Sequence, residues 1–60
     1  MVFNIVNDGN QTEVVSAGLT TYEVHWAFIT KKLKDLDFLI ISDGGNAYRY
    51  SDFKELYPLN

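Results

Sequence analysis

No cysteine occurs in the 60-residue chain, so neither a disulfide nor a thiolate metal site can hold its fold together. A domain this small buries only about 60% of the surface its unfolded chain exposes, so support must come from good packing, a non-cysteine metal site or self-association. The chain has one proline, Pro58, and nothing before it interrupts a helix or a sheet ladder through a missing N–H. It has one histidine, His25, which leaves little material for nucleophile–base pairs. No apolar run approaches the roughly 18 residues of a membrane span, and the amino terminus lacks the basic start and apolar stretch of a signal peptide. A cytoplasmic location is expected.

Basic charge is also scarce. No lysine or arginine precedes Lys31, and the formal balance is −3, from eight acidic and five basic residues. This is not the basic excess of a duplex-binding domain. Hydrophobic content of 47% and aromatic content of 15% argue for a packed core and against disorder.

The longest regular stretch runs from Leu19 to Lys34. Thr20 followed by Glu23 is a capping box, and Leu19 and Val24 occupy the hydrophobic-staple positions around it. Tyr22, Trp26, Ile29, Leu33 and Leu36 recur at helical spacing, which predicts one apolar stripe facing the core. Lys31, Lys32 and Lys34 fall where a helix dipole favours positive charge.

The flanking segments read as hairpins. Asp8-Gly9, between Val2–Val6 and Gln11–Val15, suits a type I′ turn. That turn sets Val6 opposite Gln11 and Phe3 opposite Val14, with Phe3, Ile5, Thr12 and Val14 on the core face. Phe38-Leu39-Ile40-Ile41 is apolar on both faces and belongs inside the sheet. With Gly44-Gly45 as the next turn, Leu39 and Ile41 share a face with Tyr48 and Tyr50. Asp52 to Tyr57 forms a helical turn capped by Ser51 or Asp52.

The whole chain, 1–60, is then a single α+β domain of order ββαββ, a four-stranded sheet with one helix on one face. This order resembles that of the immunoglobulin-binding domain of protein G, in which the first and last strands pair in the middle. The likeness is one of layout and implies no function.

Little in the sequence points to catalysis. His25, beside the core stripe, reads as a histidine covered by its own fold, and no serine lies in a nucleophile-elbow pattern. Asp35, Asp37 and Asp43 lack calcium-loop spacing, and Gly44-Gly45 is explained by turn geometry. No enzyme activity, metal or cofactor is expected. The excess of apolar surface says more. Val24 and Phe28 fall outside the predicted stripe, and one helix can cover only one face of Phe38–Ile41. Either Phe53, Leu56, Tyr57 and Leu59 fold back over the surplus, or it is an interaction surface.

The function expected is therefore a small non-enzymatic protein–protein interaction module, an adaptor, regulator or inhibitor acting as a homodimer. Its partner-binding residues are expected to be Val24, Phe28, Tyr48 and Tyr50, with Lys31 and Lys32 as a charged rim. The alternative is a single-stranded nucleic-acid-binding accessory protein, in which Tyr48 and Tyr50 stack on bases while Arg49, Lys31, Lys32 and Lys34 meet phosphates. A compact, self-contained chain of this kind also fits a phage or mobile-element product.

Overall fold

The computed structural model describes residues 1–59, the side chains of 10–12 excepted. Its elements are β1 (Phe3–Asn7), β2 (Asn10–Leu19), α1 (Thr21–Thr30), β3 (Phe38–Ser42), β4 (Ala47–Tyr48) and α2 (Tyr50–Leu56). The four strands form one antiparallel sheet in the order β2-β1-β3-β4. The class is α+β, but the order is ββαββα: the helical turn expected over residues 52–57 is a second helix, α2, that starts at Tyr50. The apolar run of β3 lies inside the sheet, but its partner there is β1, in antiparallel register from Phe3↔Ser42 to Asn7↔Phe38. The middle of the sheet thus differs from the protein G layout. The last strand is a two-residue edge, because the chain turns into α2 directly after Tyr48.

Both hairpins depart from the expected register, and each departure has a local cause. Neither Asp8 nor Gly9 has a positive φ, so the first turn is not type I′. The Asn7 side chain closes it, its Oδ1 accepting the Gly9 N–H at 2.9 Å. Beyond Asn7↔Asn10, β2 is repeatedly bulged against β1, giving Val6↔Val14, Ile5↔Ser16 and Phe3↔Leu19. Each added residue changes which side chains share a face. Val14 therefore joins Val6 and leaves the face of Phe3 and Ile5. The expected placements of Gln11 and Thr12 lie outside the described side chains.

The second turn is a three-residue loop, Asp43-Gly44-Gly45. The Gly45 N–H donates to the Ser42 carbonyl at 2.9 Å, and the Ser42 N–H donates to the Asn46 carbonyl at 2.8 Å. Gly45 has φ +89, the left-handed residue that follows a type I turn in such loops. One extra loop residue pairs Ile40 with Tyr48 and Ile41 with Ala47, which moves Tyr48 to the core face.

The helix starts as its sequence dictates. Thr20 Oγ1 accepts the Glu23 N–H at 3.2 Å and Glu23 Oε1 accepts the Thr20 N–H at 2.8 Å, completing the capping box. It ends earlier than its pattern suggests, at Thr30. Lys31 is the C-cap, Lys32 takes a left-handed φ of 54, and the lysines lie just past the last turn. A helix continued to Lys34 would leave three residues to cross from the helix layer into β3. Unwinding at Lys31 leaves seven, at up to about 3.3–3.6 Å each.

That early stop removes Leu33 and Leu36 from the helix, and the face of α1 that packs inward is the opposite one. Val24, His25, Ala27 and Phe28 are buried, while Tyr22, Trp26 and Ile29 are 63%, 51% and 58% exposed. Leu36 is exposed too, and Leu33 packs on the edge of the core. The staple explains the choice: Leu19 packs against the core cluster that holds Val24, and Phe28 lies one turn further on. The small Ala27 between them lets the helix approach the sheet closely.

The core joins Phe3, Ile5 and Ile40 of the sheet with Val24, Ala27 and Phe28 of α1 and Phe53 of α2. Phe53 packs edge-on to Phe3, with ring centroids 5.0 Å apart. The C-terminal segment therefore shares the helix layer with α1 and leaves the other sheet face open.

Candidate functional site

The six residues expected to bind a partner do not form one exposed surface. Val24 and Phe28 are 0% and 4% exposed, so the expectation that they stand outside the core is corrected by the burial of that helix face. The Tyr50 ring stacks on Phe28 at 4.6 Å and 6°, and Tyr48 packs beside Phe53 and Tyr57. Both tyrosines are thus half-buried against the inner layer. Lys31 and Lys32 are exposed at the C-terminal end of α1.

The Tyr48-Arg49-Tyr50 group is occupied in a similar way. Arg49 Nη2 pairs with Asp8 Oδ2 at 2.8 Å, while Nη1 donates to the carbonyls of Asp35 at 2.7 Å and Phe38 at 3.3 Å. One guanidinium fork thereby fastens the first turn to the α1–β3 connection, using the geometry that suits arginine to several acceptors at once. Asp35 also serves α2, its Oδ2 accepting the Ser51 N–H at 3.1 Å. This bond helps to satisfy a helix start that has no side-chain cap of its own at Arg49.

His25 is buried and fully engaged. Nε2 lies 2.6 Å from the Tyr57 carbonyl and Nδ1 lies 3.0 Å from the Tyr50 hydroxyl. A carbonyl can only accept, so Nε2 carries the proton and Nδ1 accepts from Tyr50. The imidazole docks α2 onto α1 and presents no free nitrogen to a substrate. Burial, and after it the negative charge of Asp35, raises the Tyr50 phenol above its ordinary pKa. Tyr57 is raised chiefly by a side-chain hydrogen bond with Tyr48, then by burial and the nearby Tyr48 and Asp43.

Among the described residues no three His, Asp or Glu side chains converge as a metal site, and no helix is long and apolar enough to cross a membrane. The edges of the sheet are poor templates for strand addition, since β2 is bulged and β4 is two residues long. Among the described residues Met1, Leu36, Leu56 and Leu59 are exposed singly, and two further apolar surfaces lie on the outer faces. On the sheet, Asn4, Val6, Leu39, Ile41 and Ala47 line an open cavity of about 450 Å³ with no charged group. On the helix layer, Tyr22, Trp26 and Ile29 form an exposed apolar stripe.

The sequence signals for these surfaces were unequal. Two apolar faces on β3 pointed to the first, which the C-terminal segment does not cover. The staple pair Leu19–Val24 was the signal for the second, because it fixes which face of α1 must turn inward. No protein-family model, curated protein or solved structure matches the chain.

Proposed function

We propose that the protein is a small non-enzymatic protein-binding module that takes an apolar element of a partner protein onto the outer face of its sheet. The observation that carries this reading is the uncharged groove over β1 and β3, lined by the half-buried Asn4, Leu39 and Ile41, the exposed Ala47 and the buried Val6. Both helices pack on the other side, so a sheet apolar on two faces has only one covered by helices. The partner element best suited to it is an amphipathic helix, because the inner face already packs helices in this way. Asn4 sets a polar contact within the surface; its Oδ1 accepts the Gly18 N–H at 3.1 Å. An adaptor, regulator or inhibitor would act through such a contact. The nucleic-acid alternative draws little support, since the tyrosines and arginine it needs are engaged within the fold.

The test is affinity capture from the source cells with the wild type, Ile41→Lys and Trp26→Ser as baits, after circular dichroism shows that all three are folded. The expected result is a protein retained by the wild type and Trp26→Ser and lost with Ile41→Lys. Capture indifferent to Ile41→Lys, or no protein retained by the wild type, overturns the proposal.

A further inference from the structure

We infer that the outward face of α1 is the contact between two copies of this chain, packed antiparallel about a twofold axis near Trp26. Nothing among the described residues covers this face: Trp26 lies at its apex, 51% exposed, with Tyr22 and Ile29 beside it. Thr30 extends it on the other flank. Its hydroxyl donates to the Trp26 carbonyl at 2.6 Å, which leaves its methyl group as the surface it presents.

The charges choose the occupant. Glu23 stands at the start of the face and Lys31, Lys32 and Lys34 stand just past its end. An antiparallel second copy therefore sets an acidic end against a basic one, twice, although the chain as a whole is acidic at −3. The antiparallel arrangement also brings Tyr22 near the partner's Ile29 and each Trp26 ring near its symmetry mate, which aromatic pairing favours. Such a contact is isologous and closes at two chains.

The area sets the strength. At these exposures the three side chains offer about 350 Å² per copy, against the roughly 800 Å² per partner of a standard stable interface. Even with Thr30 and the stems of the lysines, the dimer is weak and forms only as concentration rises. It leaves both sheet faces pointing outward, so the assembled protein is bivalent for any partner taken there.

The experiment is sedimentation equilibrium from about 5 to 500 µM together with the emission of Trp26, the single tryptophan. The expected result is a molar mass rising from that of one 6.9 kDa chain toward twice that value. Trp26 emission should shift to the blue over the same range. Trp26→Ser and Ile29→Lys should stay monomeric throughout with an unchanged melting temperature, and Lys31→Glu should raise the dissociation constant at least threefold. A wild type monomeric at every concentration overturns the inference, as does a dimer indifferent to both Trp26→Ser and Ile29→Lys. A dimer abolished only by Ile41→Lys would place self-association on the sheet face instead and would leave α1 without this role.

Discussion

The two sides of α1 carry similar hydrophobicity and have opposite fates. Val24, Ala27 and Phe28 are buried with His25 on one side, whereas Tyr22, Trp26 and Ile29 are left in solvent on the other. Apolar content alone could not choose between them, since the outward side holds the larger aromatic groups. Fit chose. A branched valine, a small alanine and a phenylalanine one turn apart let the helix settle on Ile5 and Ile40, while tyrosine and tryptophan in those places would hold it away from the sheet. His25 adds direction, because its two ring nitrogens find partners only on the side where α2 lies.

The contrast is broken most severely by Phe28→Ala, which removes a core ring and its stacking partner for Tyr50. The expected loss is about 3–5 kcal/mol, comparable to the entire stability of roughly 3–9 kcal/mol for a domain of this length. The variant should show little native circular dichroism at 37 °C; a cooperative melt near that of the wild type would mean that Phe28 is not a core residue.

His25→Ala comes next. It strands the Tyr50 hydroxyl and the Tyr57 carbonyl and opens a gap between the helices, at about 2–3 kcal/mol by urea denaturation. A change below about 0.5 kcal/mol would show that the imidazole does not dock α2.

The inward side also predicts a pH limit. Tyr50 and Tyr57 hold their protons more tightly in the folded chain than in the unfolded one. Their contribution is fully present below the ordinary tyrosine pKa of about 10 and is lost as pH rises through the higher folded values. Melting temperature should therefore fall above about pH 10, and Tyr50→Phe should make that fall shallower. An identical alkaline slope in Tyr50→Phe would remove Tyr50 as a cause.

The smallest expected effect sharpens the end of the helix. Lys32 has a left-handed φ of 54, so Lys32→Gly should stabilise the fold by about 0.5–1 kcal/mol. Destabilisation would mean that the lysine side chain contributes more than its backbone strain costs.

Much of this architecture was legible in the residues, and the failures share a cause. The capping box at Thr20 and Glu23, the interior position of Phe38–Ile41 and the turn positions at Asp8-Gly9 and Gly44-Gly45 rest on local chemistry, and the structure contains each of them. The faces were lost because they depend on counting. One residue more in the Asp43–Gly45 loop and the bulges along β2 reassigned Tyr48 and Val14, and the helix end at Thr30 cut a five-member stripe to three. Val24 carried two conflicting signals, outside the long stripe and inside the staple. The staple was the better guide because it concerns only the first turn and does not depend on where the helix stops. The exposure expected of Val24 and Phe28 inherited that error, and the apolar stripe of α1 that is exposed lies on the opposite face of the helix.

The most direct test of the inward and outward assignment is a pair of urea denaturation curves, Phe28→Leu against Trp26→Ser, taken at a few micromolar where self-association is absent. The expected loss is about 1–2 kcal/mol for Phe28→Leu, from packing and ring stacking, and less than about 0.5 kcal/mol for Trp26→Ser. A larger loss for Trp26→Ser than for Phe28→Leu would contradict this assignment, because α1 would then be packed by its Tyr22, Trp26 and Ile29 face.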